Sequence, residues 1–265
     1  MTDTTLAGGA PRQLSALFRM EVVLLQRNMA TAVLVVILPI ALGVGRLGWA
    51  QVGAGDASAG AERMASAIGM IAAIFVHHHL VTVYAARRQE LVLKRLRAGL
   101  PSDGTIIAGA ASAATAVFIA QTLILVAYAV LVLRFPLPVN PVPILLAVLL
   151  AAALMVTTSA VVSAVTRSSE AAMITTFPTV ALFLVTPGVL LPYGALPEAV
   201  EDAAWFSPMG PFGELIRIGW VGTDGDTDLL ATVVTAFPGL AIMSAWLVLT
   251  ALLVRRFFRW EPRHR

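Results

Sequence analysis

The chain has 265 residues, 58% of them hydrophobic and 12% charged, with a mean hydropathy of +0.87; soluble domains carry about 25% charged residues, so a water-soluble globule is excluded. Its apolar runs reach the roughly 20 residues that a helix needs to cross about 30 Å of hydrocarbon, which indicates an all-α polytopic membrane protein and not the alternating strands of a barrel. No cysteine is present, which removes disulfide frameworks and thiolate metal sites, and the net charge of +3 is explained by basic loops on one side of a membrane without any nucleic-acid partner.

The start, Met1 to Pro11, lacks a basic region followed at once by an apolar core, so the amino terminus is expected to stay uncleaved and cytoplasmic. In residues 11–28, Leu14, Leu17, Phe18, Val22 and Leu25 recur at three- and four-residue spacing, with Arg12, Gln13, Arg19, Gln26 and Arg27 mostly elsewhere on the wheel. The pattern fits an interfacial helix with arginines toward lipid phosphates, or equally a helix packed on the ends of the spans.

Six spans are expected, over residues 29–47, 64–86, 106–133, 144–166, 171–191 and 229–254. Pro39 should kink the first. A small-residue loop, Gly53 to Gly60, precedes the second, and Arg134 to Pro143, with four prolines, forms a stiff non-helical turn after the third. Between the fifth and sixth spans lies a long segment, 192–228, that is neither a span nor an ordinary polar loop.

Six crossings put both termini on one side, and the charges agree. Arg12, Arg19, Arg27, Arg87, Arg88, Lys94, Arg95, Arg97, Arg167, Arg255, Arg256, Arg259, Arg263 and Arg265 fall on the expected inside, fourteen of the eighteen basic residues. Only Arg46, Arg63, Arg134 and Arg217 fall outside. Both ends are therefore expected to be cytoplasmic in a plasma-membrane protein. The 192–228 segment is acidic, with Glu198, Glu201, Asp202, Glu214, Asp224, Asp226 and Asp228 against Arg217, and is expected outside.

Two stretches carry a family resemblance. The first is Arg88-Gln-Glu-Leu-Val-Leu-Lys-Arg-Leu-Arg-Ala-Gly-Leu-Pro-Ser102, between the second and third spans. The second comprises Pro187-Gly-Val-Leu-Leu-Pro192, then Leu196-Pro197, then Trp205-Phe-Ser-Pro-Met-Gly-Pro-Phe-Gly-Glu-Leu-Ile-Arg217. Their order and spacing on a six-span frame resemble the permeases of the ABC type-2 transporter family. Leu100 departs from the small or proline-adjacent residue often found there, and the short Gly43 to Gly60 loop matches compact members without a large extracellular domain.

The resemblance implies a single permease domain over 1–265 that pairs with a second permease copy and with cytoplasmic ATPase subunits. It implies export of an amphipathic or hydrophobic drug, natural product or lipid, as in efflux and multidrug resistance. ATP and Mg²⁺ would sit on the ATPase and no cofactor on this chain, which has no Gly-x-x-x-x-Gly-Lys-Ser/Thr phosphate loop. The 87–104 segment becomes a coupling helix: Arg87, Arg88, Glu90, Leu93, Lys94, Arg95, Leu96 and Arg97 would meet the ATPase, leucines in a groove and basic groups against acids. Simple anchoring on anionic lipid is the other reading of the basic residues, at about 1 kcal/mol each; it leaves Glu90 unexplained. Pro187, Gly188, Pro192, Pro208, Phe212 and Arg217 would belong to an outer gate of short re-entrant helices, with Phe212, Leu215, Ile216 and Gly219 as its apolar face. The alternative for 197–221 is an interfacial belt with Trp205 and Trp220 at headgroup level.

His77-His78-His79 invites a metal reading, but consecutive helical residues point about 100° apart and cannot converge on one ion. Packing, hydrogen bonding between spans or lining of a polar cavity is favoured. The span centres lack Asp and Glu, which counts against a proton- or sodium-driven transporter, the competing class together with a channel. Thr157, Thr158, Ser159, Ser163, Thr175 and Thr176 could line a pathway or serve helix packing. An intramembrane enzyme finds no nucleophile, base or ligand set at workable spacing.

Overall fold

The computed structural model describes residues 33–48, 57–91, 103–186, 188–223 and 228–258, with scattered positions between 15 and 29. Among them every regular element is helical: α1 (Val33–Gly48) and α2 (Ala57–Gln89), α3 (Asp103–Leu131), α4 (Pro141–Val165), α5 (Ala172–Val185), α6 (Glu198–Trp205), α7 (Phe212–Val221) and α8 (Leu229–Phe257). Helices α2, α3, α4 and α8 are long and apolar enough to cross a membrane, whereas α1 and α5 are shorter apolar helices. The expected interfacial helix at 11–28 and the heart of the coupling segment, 92–102, lie outside the described stretches.

The second long helix is the axis of the bundle. Of its most apolar stretch 72% is buried, against 17% for α8 on the periphery. The cause is composition: Gly60, Ala61, Ala65, Ala67 and Gly69 give α2 a surface on which neighbouring backbones approach closely, the mode of packing available where lipid removes the hydrophobic drive between helices. It also begins at Ala57, seven residues before the expected boundary. Gly60 allows this, because the ring of Phe135 stands 2.8 Å from where a Cβ would be.

Proline and polar side chains set the remaining irregularities. The kink expected at Pro39 takes the form of a π-helical turn, Val33–Ile37, leading into the α-helical Leu38–Gly48. Proline has no N–H for the carbonyl four residues back, and Gln121 of α3 supplies the donor, its Nε2 lying 2.8 Å from Val35 O and 3.1 Å from Val36 O. Helix α5 stops at Val185, short of the expected 191, because Thr186 precedes Pro187 and is extended (φ −59°, ψ 128°). Its 14 residues span about 21 Å at 1.5 Å each, less than the hydrocarbon thickness.

Asn140 and Pro141 open α4 as an N-cap and a first-turn proline. Asn140 Oδ1 accepts from Val142 N at 3.0 Å, while its Nδ2 donates to Thr232 Oγ1 at 2.7 Å and to Leu229 O at 3.3 Å on α8. Its backbone N–H donates to Gly219 O of α7 at 2.9 Å. One buried asparagine therefore joins three helices at this end of the bundle.

Candidate functional site

Two regions predicted to carry function lie at opposite ends of α4. At one end, α6 and α7 form a hairpin that descends into the bundle. Trp220, at its upper end, donates from Nε1 to Pro136 O at 3.1 Å, close to the Asn140 junction. Lower down, Pro211 Cβ is 2.9 Å from the place a Cβ on Gly239 would occupy, ten residues along α8. At the tip, Phe206 O accepts from Trp246 Nε1 at 2.7 Å, 17 residues beyond Leu229 and so about 25 Å along the helix axis. The hairpin is thus re-entrant in form, its tip beside the middle of the neighbouring spans. Trp220 is 1% exposed and belongs to the core.

The amphipathic face expected of α7 is present. Phe212, Leu215, Ile216 and Gly219 are buried, while Glu214 and Arg217 form a two-pronged ion pair on the other side, at 2.6 and 3.0 Å. Pro208 is buried at the hairpin turn and Pro192 is exposed; Pro187 lies outside the described residues. Gly188 occupies left-handed backbone, φ +80°, where only glycine is unstrained. The Tyr193 hydroxyl is 2.7 Å from the Cβ positions of both Gly188 and Gly213. This cluster locks the 188–193 turn onto α7. Burial, and after it the Glu214 carboxylate, push the Tyr193 phenol above its ordinary pKa, so it stays a neutral hydroxyl.

Val189 seats the same stretch on α2, its methyls 3.0 and 3.2 Å from the Cβ position of Gly69. Thr186 and Ser207 hydroxyls, 3.3 Å apart, join the end of α5 to the hairpin tip.

At the other end of α4, the outcome for the predicted coupling residues divides. Arg87 and Arg88 are buried, and Glu90 and Leu91 are exposed. Arg88 reaches across to the C-terminus of α4, donating from Nη1 to Ser163 O at 2.7 Å and from Nη2 to Thr166 O. Ser163 O also accepts from Thr166 N at 3.2 Å, so the guanidinium adds a second bond there, caps Thr166 O past the helix end, and meets the negative end of the helix dipole. Gln89 Oε1 accepts from Ser169 N at 3.2 Å in the α4–α5 turn. Arg88 is therefore an internal tie and not part of an exposed docking face. Leu93, Lys94, Arg95, Leu96 and Arg97 lie outside the described residues. Leu91, at φ 59°, ends the helix with a left-handed turn.

Between the two ends, the histidines act separately. His77 is buried, its Nε2 2.8 Å from Thr179 Oγ1 of α5 and its Nδ1 2.9 Å from Ser159 Oγ of α4. His78 Nδ1 is 3.1 Å from Thr176 Oγ1. Among the described residues no group of three His, Cys, Asp or Glu could hold a metal. The hydroxyls of the spans are likewise taken up in helix pairing: Thr157 with Thr250 and Thr166 with Thr175, both at 2.8 Å.

Sequence reasoning missed Asn140, Gln121 and the inward turn of Arg88. An asparagine just before a proline at the head of an apolar run is a helix-start signal that could have revealed the first. The other two depend on tertiary partners. The family model described as ABC-2 type transporter matches residues 12–220, which takes in the bundle from the amino-terminal stretch to α7. No curated protein matches the chain significantly. The chain belongs to the ABC-2 type transporter family, the membrane permease subunits of ATP-binding cassette transporters.

Proposed function

We propose that this chain is the permease of an ATP-driven exporter, working as a dimer with a second permease and drawing force from a cytoplasmic ATPase that holds ATP and Mg²⁺. In this reading α1 and α5 complete six crossings, both termini and the Glu90 end face the cytoplasm, and the α6–α7 hairpin closes the pathway from outside. The observation that carries it is the hairpin itself, a re-entrant wedge whose tip reaches Trp246, placed at the end of the molecule opposite Glu90. The substrate is amphipathic or hydrophobic. Supporting this, His77 with Thr179 and Ser159, Thr157 with Thr250, and Thr166 with Thr175 are committed to one another, and no carboxylate stands among these residues to pair with a strongly cationic cargo.

The test is reconstitution with the partner ATPase in liposomes. Glu90→Ala, or Leu93→Ala with Leu96→Ala, should abolish both transport and substrate-stimulated ATP hydrolysis while membrane insertion is unchanged. Because the chain lacks cysteine, a single cysteine at Ser102 reports the side directly and should react only from the cytoplasmic face. Uphill transport by the permease alone would instead establish a secondary transporter or channel.

A further inference from the structure

A cavity lies between the end of α1, the first turns of α2 and the 188–192 stretch. It encloses about 260 Å³ and is lined by Arg46, Glu62, Arg63, Ser66, Val189 and Leu191, among others. Arg46 Nε donates to Ser66 Oγ at 3.0 Å, which holds the guanidinium over the cavity. Charged groups of both signs thus meet an apolar wall formed by Val189 and Leu191.

Its depth along α2 is informative. Thirty-three residues make a helix of about 50 Å, some 20 Å longer than the hydrocarbon layer, so about 10 Å projects at each end if the helix is centred. Glu62 lies five residues from Ala57, about 8 Å in, and Ser66 about 14 Å. The cavity therefore straddles the level of phosphates and glycerol backbones.

We propose that this cavity is a phospholipid-headgroup site for zwitterionic amine lipids: Arg46 and Arg63 take the phosphodiester, Glu62 takes the ammonium, and Val189 and Leu191 receive the glycerol end of the acyl chains. Guanidinium groups suit phosphate oxygens through charge-assisted hydrogen bonds. A carboxylate beside them would repel a purely anionic headgroup, so its presence selects for one that also carries a cation. The site adjoins Gly188, so a bound lipid would brace the stretch that leads into the hairpin.

Native mass spectrometry of the purified full-length protein, titrated with phosphatidylethanolamine, phosphatidylglycerol and diacylglycerol, tests this without any ATPase. Phosphatidylethanolamine should be retained roughly tenfold better than diacylglycerol, the scale of one charge-assisted hydrogen bond or more. Arg46→Gln with Arg63→Gln should remove that preference, and Arg46→Lys with Arg63→Lys should keep most of it. Glu62→Gln should raise phosphatidylglycerol to the level of phosphatidylethanolamine, a gain that a folding defect would not produce. Equal retention of all three lipids, unchanged selectivity in Glu62→Gln, or displacement of the lipid by millimolar inorganic phosphate would each overturn the assignment.

Discussion

Asn140→Ala offers the most direct test of how the bundle is held at the hairpin end. The side chain caps α4 through Val142 N and donates to Thr232 Oγ1 and Leu229 O, and it is 1% exposed. Loss of an N-cap costs about 1 kcal/mol. Loss of the donor leaves the buried Thr232 Oγ1 without the hydrogen bond it accepts, at about 1 kcal/mol, reduced in lipid where the unfolded helices also find partners, while Leu229 O keeps the bond from Thr232 Oγ1. Together these give a destabilisation of about 2 kcal/mol, read by reversible unfolding in mixed micelles. Asn140→Asp separates the parts, since it keeps the capping oxygen and loses the amide donor. It should recover the capping portion only if its added charge is tolerated, so Thr232→Val serves as the cleaner partner. A double-mutant cycle of Asn140→Ala with Thr232→Val should return a coupling of about 1 kcal/mol. A coupling near zero, with Asn140→Ala costing less than about 0.5 kcal/mol, would refute the idea that this residue joins α4 to α8.

Gly213→Ala should lower the melting temperature through collision with the Tyr193 hydroxyl, 2.7 Å from the new Cβ, and Tyr193→Phe should restore part of the loss. The same second change should not rescue Gly188→Ala, whose φ of +80° adds backbone strain of about 1 kcal/mol or more. Gln121→Leu strips the donor from Val35 O and Val36 O and should cost about 1–2 kcal/mol in the same unfolding assay. Leu91→Gly relieves a left-handed residue at φ 59°, so it should stabilise the end of α2 by up to about 1 kcal/mol, while Leu91→Val should destabilise it. Thermal unfolding of the pair, in opposite directions, checks this.

Much of the architecture was legible because lipid leaves a helix few options. The long apolar runs became α2, α3, α4 and α8, and His77 and His78 pair separately with hydroxyls of neighbouring helices. The run from Ala171 to Leu191 was misjudged in length, because Val189, Leu190 and Leu191 continue the hydrophobicity past the point where Thr186-Pro187 breaks the helix. Hydropathy reports burial from water and cannot say whether lipid or protein supplies it; Trp220, offered at headgroup level as the alternative to the gate, is covered by protein, its Nε1 donating to Pro136 O. Arg88 shows the same limit for charge. Basic residues at the end of a span read as cytoplasmic contacts, yet the C-terminal carbonyls of α4 lie close enough to claim this one, and an unaligned sequence does not reveal which helix end stands opposite.

That misplacement changes how force from an ATPase would enter the bundle. A segment docked immediately after Leu91 could pull on α2 alone only if α2 slid independently of its neighbours. Arg88 hydrogen-bonds to Ser163 and Thr166, and Gln89 to Ser169, so displacement at Glu90 must either carry the C-terminal end of α4 with it or break a buried, charge-assisted contact. The opposite end of α4 is tied through Asn140 to Gly219 of the hairpin and to Thr232 of α8. Helix α4 thus has direct hydrogen bonds both to Arg88 at the end of α2 and to the α6–α7 hairpin. Two packings of such a helix, each satisfying the ties at both ends, are what the nucleotide-driven cycle proposed above would require, since only contacts that differ between states can bias them.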